Sequence, residues 1–368
     1  MKILIPITGF GSAGGYRVLS ELANHWQLAG HQVGFLVDHR SSPPYFPTSA
    51  TIRWFCPKGE ILDEAKKNTT SKFAPTGNAL SIYLGMYRAL KSIAGGYDVV
   101  LANHSLTAIP IALARMGEAK KFYYIQAYEP EYYALEKGMK ALILKWLSSF
   151  SYTLKLHQIV NAPIYIGYRG IRAAEWIPPG IDESVFYCRP SPPSFRPSRP
   201  WTLGVIGRHE PAKGTRYALE AFEKLARLDA HVRLKVAYGN LPAGWSHDRA
   251  EIVNPRDDGE LAEFYRSVDI MLAPGTVQLG ACHYPVLEAM ACGTPVVTTG
   301  YLPADHENSW IVPICDSEAI SVAARAIAAT PQNELRQKLI LAQAAIHGFY
   351  WKAVARKFLD IIGATAIH

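Results

Sequence analysis

Two cations and one acid carry the sharpest chemistry in this chain. Arg208 and Lys213 stand in Gly207–Arg208–His209–Glu210–Pro211–Ala212–Lys213–Gly214, directly after the apolar run Leu203–Ile206. A strand-like run followed by a glycine-bounded charged turn and then helical spacing puts both cations on a loop between a strand and a helix. Fixed cations there suit a diphosphate, with arginine supplying a planar fork and lysine a compact charge. Aimed at a leaving group that gains negative charge, they favour the transition state over the ground state. Alone, such a pair also reads as a solvated surface pair. The second signal is Pro285–Val286–Leu287–Glu288–Ala289–Met290–Ala291–Cys292–Gly293–Thr294–Pro295–Val296–Val297. It reads as a helix with Glu288 in its first turn, ending at Gly293 and re-entering a strand. Apolar neighbours bury that carboxylate, and a buried carboxylate needs partners. Sugar hydroxyls would serve; service to the helix dipole is the plain structural alternative. Cations and acid together describe a nucleotide-sugar site.

A third motif points two ways. Gly9-x-Gly11-x-x-Gly14 follows a strand and opens a helix, and Asp38 ends the next strand. As written this satisfies a dinucleotide fingerprint, and so an NAD-dependent oxidoreductase. Glycines here equally let backbone amides at a helix N-terminus approach a phosphate or an acceptor. An oxidoreductase leaves the 207–214 and 285–297 motifs without a purpose, which favours the second reading. His104 at a strand end, and Gln126 with Glu129 after the next strand, are expected at the same edge of the sheet. Each has a structural alternative: a strand-end histidine satisfied by backbone, and a helix-start acid. Glu129 would otherwise assist deprotonation of an acceptor.

Composition sets the frame. The chain has 368 residues, enough for about two domains, with 49% hydrophobic and 19% charged residues, ordinary for a soluble α/β protein. Its net charge of +7 fits anionic substrates or an acidic membrane surface and does not call for nucleic acid. Cys56, Cys188, Cys282, Cys292 and Cys315 are scattered without metal-ligand spacing, which fits a reducing, cytoplasmic setting, and no metal site or cofactor is expected. No signal peptide is evident, and no run approaches the ~18 apolar residues that span a bilayer. Asn68–Thr69–Thr70 matches a glycosylation sequon, without meaning in a cytoplasmic chain.

The elements that must position these residues alternate throughout. Lys2–Ile7, Gln32–Val37, Val99–Ala102 and Phe122–Ile125 read as strands of a first half, with a helix over Tyr16–Ala29. Trp201–Ile206, Arg233–Ala237, Ile270–Leu272 and Pro295–Thr298 read as strands of a second, with helices over Tyr217–Leu228, Asp258–Val268 and Glu318–Ala329. This βα alternation predicts an α/β protein of two Rossmann-like, doubly wound domains facing a cleft. The expected division is an N-terminal, acceptor-side domain over 1–183, a proline-rich linker over 184–200, a donor domain over 201–345, and a C-terminal helix over 346–368. Met139–Lys155 mixes Lys140, Lys145 and Lys155 with Leu142, Ile143, Trp146, Leu147, Phe150 and Tyr152. Such a helix either packs on its own sheet with solvated lysines or rests on anionic lipid as a peripheral membrane contact.

The paired motifs at 207–214 and 285–297 resemble the donor half of GT-B glycosyltransferases of the large family 4 type, and the resemblance extends over nearly the whole chain. Gly9–Gly15, including Gly14 and Gly15, looks like the N-terminal glycine loop of these enzymes. Pro178–Pro179–Gly180–Ile181–Asp182 with Phe186 resembles the segment closing their first domain. Phe349–Tyr350–Trp351 with Val354 and Ala355 resembles their C-terminal helix, which crosses back to the N-terminal domain. Gln126–Ala127–Tyr128–Glu129–Pro130–Glu131–Tyr132–Tyr133 is similar to a narrower group, bacterial transferases that include rhamnosyltransferases of cell-surface polysaccharides.

The resemblance implies a retaining, metal-independent transfer from a UDP, dTDP or GDP sugar to a saccharide or lipid-linked acceptor, in bacterial surface glycan synthesis. Arg208, Lys213 and Glu288 would be its catalytic set, Glu288 holding the nucleotide ribose. Gly14, Gly15, Gly207, His283, Tyr284 and Pro285 would bind the donor; His104, Gln126 and Glu129 would touch acceptor or sugar. The family's second glutamate is replaced by Gly280, and the turn toward the donor sugar reads Ala281–Cys282–His283–Tyr284–Pro285. That departure leaves room for His283 as a substitute hydrogen-bond donor, and for a non-catalytic partner subunit that only binds sugar nucleotide.

Overall fold

The computed structural model describes residues 1–62, 79–93, 95–196 and 199–366. The sequon at Asn68–Thr69–Thr70 lies outside them, as do two residues of the proline-rich segment and the last two of the chain. The chain divides into two compact units, one of Met1–Pro179 with Trp351–His368, the other of Gly180–Tyr350.

In the first unit eight strands make one sheet: β1 Lys2–Ile7, β2 Gln32–Asp38, β3 Thr51–Phe55, β4 Ile61–Leu62, β5 Val99–Ala102, β6 Lys120–Ile125, β7 His157–Val160 and β8 Glu175–Trp176. Their order is β4-β3-β2-β1-β5-β6-β7-β8, and only the edge pair β3–β4 runs antiparallel. The central strands are buried almost throughout (Ile3, Leu4, Ile5, Phe35, Leu36, Val37, Val100, Tyr123, Tyr124), as parallel strands covered on both faces must be. Helix Gly14–Leu28 lays Val18, Leu19, Leu22 and Trp26 inward. The helix expected from 346 begins at Trp351, because a turn over His347–Phe349 separates it from helix Gln332–Ile346. It packs on Gly14–Leu28: Trp26 meets Phe358 edge-on at 5.1 Å and donates Nε1–H to the Ala355 carbonyl at 3.2 Å.

The second unit repeats the plan with six parallel strands: β9 Trp201–Ile206, β10 Val232–Ala237, β11 Ala250–Val253, β12 Ile270–Ala273, β13 Val296–Thr298 and β14 Trp310–Ile311. The order is β11-β10-β9-β12-β13-β14. The chain starts at the centre, winds outward to β11, then returns to β12 and winds the other way. The switch point therefore falls between β9 and β12. Helix Thr215–Leu228 buries Ala218, Leu219, Phe222 and Leu225 against β9 and β10, while Leu335 and Leu339 of helix Gln332–Ile346 join the same core. Each fully buried Phe or Leu there contributes about 1.5–3 kcal/mol. Asp257 and Asp316 cap the helices Asp258–Ser267 and Ser317–Ala329 by accepting from Glu260 and Ala319 amides, both at 2.8 Å.

The proline-rich segment lies along this second unit. The Arg189 amide donates to the Cys292 carbonyl at 3.0 Å, its guanidinium reaches the Val268 carbonyl at 2.9 Å, and Phe195 meets Trp201 edge-on. No described helix is long and apolar enough to cross a membrane.

Candidate functional site

In open α/β sheets the crevice at the carboxyl ends of the strands flanking the switch point is where ligands bind. In the second unit those ends are the loops after β9 and β12, and they carry Arg208, Lys213 and His283. The loop after β9 is stitched at every turn. Gly207 donates to the Ala237 carbonyl at 2.8 Å and accepts from Asn240 Nδ2 at 3.2 Å. A Cβ on Gly207 would collide with the Gly239 carbonyl, so only glycine allows this approach. Thr215 Oγ1 accepts from the Arg208 amide at 3.1 Å and donates to the Arg208 carbonyl at 3.0 Å. Lys213 ends a short 3₁₀ turn, Pro211–Lys213, and Gly214 follows at φ +72°, packed on the Pro274 carbonyl. The Thr276 amide then ties the second loop to the Ala212 carbonyl at 2.9 Å.

Burial, then the repulsion of Arg208, lowers the Lys213 pKa, with Glu210 acting against both. Arg208 is exposed. The loop after β12 runs through Gly280, at φ +85° in the left-handed region, to His283, which stands at the N-cap of helix Tyr284–Ala291. Pro285 lies in the first turn of that helix, where its missing N–H costs nothing. The His283 ring lies 4.8 Å from that of Tyr301, whose hydroxyl donates to the Val277 carbonyl at 2.6 Å. Among the described residues His283 Nδ1 is buried without a hydrogen-bond partner. Burial, followed by the charges of Lys213 and Arg208, holds the His283 pKa well below the usual histidine range. A neutral imidazole beside two cations is left with hydrogen-bonding capacity at Nδ1 that no group among the described residues uses.

Glu288 is only 3% exposed, and because the helix starts at Tyr284 it is the fifth helical residue, just beyond the first turn in which it was expected. Its neighbours are apolar as expected. Its Oε2 accepts from Tyr265 OH at 2.8 Å, and burial together with the carboxylate drives the Tyr265 pKa well above the usual range, so the phenol stays a donor. Tyr265 comes from helix Asp258–Ser267, packed beside the Glu288 helix, and no local pattern pairs residues so far apart in sequence.

The first unit gathers the other candidates. Gly14 and Gly15 open helix Gly14–Leu28, and Gln126, just past β6, donates Nε2–H to the Gly15 carbonyl at 3.3 Å. His104 caps helix Ser105–Leu113: its Nδ1 accepts from the Leu106 amide at 3.2 Å, and Thr107 Oγ1 closes the reciprocal bond. Glu129, first residue of helix Glu129–Leu135, is held on both sides. Its Oε1 accepts from the Ser105 amide at 3.2 Å and its Oε2 from Tyr152 OH. Asp38 is buried and paired bidentately with Arg40 at 2.8 and 2.9 Å. The acid that a dinucleotide ribose would need is thus already neutralised. Among the described residues no group of three or more His, Cys, Asp or Glu side chains is placed to hold a metal ion.

Two Rossmann-like units built on parallel sheets, with the C-terminal helix packed on the first, define the GT-B fold of glycosyltransferases. Residues 200–330 match the family model Glycosyl transferases group 1. Solved structures align over almost the full length. Sucrose-phosphate synthase from Thermosynechococcus elongatus superposes with TM-score 0.73 at 17% identity, covering 99% of this chain and 98% of that one. Anabaena HepE in complex with UDP-glucose gives 0.70 at 15% identity, covering 99% and 100%. Among curated proteins, the D-inositol 3-phosphate glycosyltransferase of Stackebrandtia nassauensis is 32% identical over 145 residues, 33% of this chain and 32% of that protein. That of Saccharomonospora viridis is 26% identical over 224 residues, 51% and 49%. The matches thus span a third to a half of the curated relatives' length.

Proposed function

We propose that this protein is a retaining glycosyltransferase that moves a sugar from a nucleoside diphosphate sugar to a saccharide or lipid-linked saccharide acceptor, in the synthesis of bacterial surface glycan. What supports this most is the grouping of Arg208, Lys213 and a neutral His283 at the switch point of the second sheet, a few residues before a buried Glu288. Arg208 and Lys213 neutralise the departing diphosphate, so the transfer needs no divalent ion. Glu288, oriented by Tyr265, accepts from the ribose hydroxyls, and Gly207 admits the phosphates to the backbone. His283, with Tyr284 and Pro285 behind it, faces the donor sugar, where its imidazole hydrogen-bonds as a neutral group. The family match over residues 200–330 and a UDP-glucose complex of a protein with the same fold favour a nucleotide-sugar donor.

A second reading, a non-catalytic subunit that binds sugar nucleotide, is favoured by Gly280 alone. Its φ of +85° is a conformation in which a glutamate would be strained, so the backbone here suits glycine rather than a second acid. The test is a thermal-shift screen against UDP, dTDP, GDP and ADP, then the corresponding sugars, since a ligand of the native state stabilises by mass action. One nucleotide diphosphate should stand out, and its sugar should turn over, at least by slow hydrolysis. Binding without any turnover selects the second reading; no stabilisation by any diphosphate rejects both.

A further inference from the structure

Helix Met139–Ser151 is built inside out. The side chains it buries are small, Ala141, Ser148 and Ser151. Leu144 and Leu147 are half-buried, but the other large apolar ones point to solvent: Met139 is 71% exposed, Leu142 61%, Ile143 50%, Trp146 66% and Phe150 44%. Their positions follow the i, i+3, i+4, i+7, i+11 spacing of a single helical face. Trp146 and Phe150 stack on each other at 5.9 Å, nearly parallel, so the two rings form one continuous apolar plate-like block. Leu135, at the end of the preceding helix, is also 65% exposed. A packed helix hides such residues, and a patch of this kind on a folded surface marks an interaction site. The helix packs on its own unit through its small residues with Leu144 and Leu147 half-buried and its lysines exposed, and it leaves a large apolar face uncovered.

The charges around the plate decide its occupant. Lys137, Lys140, Lys145 and Lys155 are exposed on or beside the helix, against Glu136 as the exposed acid of this stretch. A second copy of the chain meeting this face about a two-fold axis would set lysines against lysines. An anionic bilayer does the reverse: its headgroups attract the lysines while tryptophan, phenylalanine and leucine sink to the acyl boundary. We propose that helix Met139–Ser151 lies in the plane of an anionic lipid surface and docks the first unit on it.

The test uses the full chain with sedimentation onto vesicles of phosphatidylcholine alone, and of phosphatidylcholine mixed equally with phosphatidylglycerol. Binding should appear on the mixed vesicles, weaken as salt rises, and be at least tenfold poorer on phosphatidylcholine. The Lys140→Glu/Lys145→Glu variant should lose on the order of tenfold or more in partition coefficient, since each basic residue near such a surface acts separately. Trp146→Ser/Phe150→Ser should lose a similar factor even at low salt. All these positions are exposed, so the variants keep the wild-type Tm and the wild-type response to nucleoside diphosphate, which separates this test from that of the donor site. Equal binding to both vesicle types, or wild-type binding by both variants, overturns the proposal. So does a concentration-dependent dimer that Trp146→Ser/Phe150→Ser converts to monomer without any vesicle binding.

Discussion

The Tyr265 hydroxyl donates a hydrogen bond to Glu288 Oε2 at 2.8 Å, and both side chains are buried. One carboxylate oxygen is thus fixed by a neighbouring helix, and the acid is oriented before any ligand arrives. The Thr294 hydroxyl donates to the Tyr265 carbonyl at 2.7 Å, so the chain segment leaving the Glu288 helix also holds its partner in place.

Glu288→Gln should therefore fold, because an amide oxygen still accepts from Tyr265. It should bind nucleoside diphosphate about tenfold more weakly, since an amide presents one acceptor oxygen and a misplaced donor to the ribose. Calorimetry with ribose and 2′-deoxyribose nucleotides checks this: the substitution should cost the deoxy ligand less. Tyr265→Phe should lower stability by about 1–3 kcal/mol by withdrawing a buried hydrogen bond to a charged group. Identical affinities of wild type and Glu288→Gln would return Glu288 to a purely structural role.

Removing either cation should weaken diphosphate binding. A charge-assisted contact is worth roughly 1.5–3 kcal/mol, so Arg208→Ala or Lys213→Ala should cost tenfold or more, while nucleoside without phosphate binds unchanged. Burial and Arg208 lower the Lys213 pKa in the free protein. Only the protonated amine pairs with phosphate, so affinity is full at lower pH and is lost as pH rises through that depressed value. At alkaline pH binding should take up a proton, seen as a dependence of the calorimetric enthalpy on buffer; Lys213→Ala should show neither effect.

His283 titrates in the opposite sense for stability. Its folded pKa is held below the unfolded value of about 6.5, so at acid pH the unfolded chain binds a proton that the native state refuses. This contribution to stability is complete above the unfolded pKa and fades as pH falls below it. His283→Gln removes the effect, so its Tm should decline less than that of wild type between pH 7 and 5, by thermal unfolding in matched buffers. Parallel declines would mean that His283 is not held neutral.

Much of the second unit was legible because its strands are continuous apolar runs: Trp201–Ile206 is a strand from end to end as read, and helix Thr215–Leu228 begins two residues before its spacing suggested. The short strands Ala250–Val253 and Trp310–Ile311 escaped, being partly exposed edge pieces without a buried run to mark them. The positions of Arg208, Lys213 and Glu288 came from motif and order along the chain. Tyr265, Tyr301 and Thr215 did not, since what matters about each is a partner brought close only by packing. The same holds for Glu129, where helix-start position was readable and engagement by Tyr152 was not.

Activity should survive removal of divalent ions. If Arg208 and Lys213 stabilise the leaving diphosphate, turnover in excess EDTA should match that with magnesium within about twofold, below ~0.5 kcal/mol in barrier. Abolition by EDTA with rescue by magnesium or manganese would show that another charge does this work.

The stereochemical outcome follows from which groups are left to take a proton. Glu129 is committed to Tyr152 and the Ser105 amide, and His104 Nδ1 to a helix cap. Neither is free, in this arrangement, to act as a strong base, whereas phosphate oxygens, if held by Arg208 and Lys213 as proposed, can accept the acceptor's proton on the face they leave from. The product should then keep the donor's anomeric configuration, which proton NMR reads from the anomeric coupling. Glu129→Ala should chiefly cost stability, about 1–3 kcal/mol for the partners it strands. Either Glu129→Ala or His104→Ala should slow turnover through lost positioning by roughly 10²–10³-fold at most. An inverted product together with near-total inactivity of one of these variants, its Tm preserved, would identify a general base and reject the retaining mechanism.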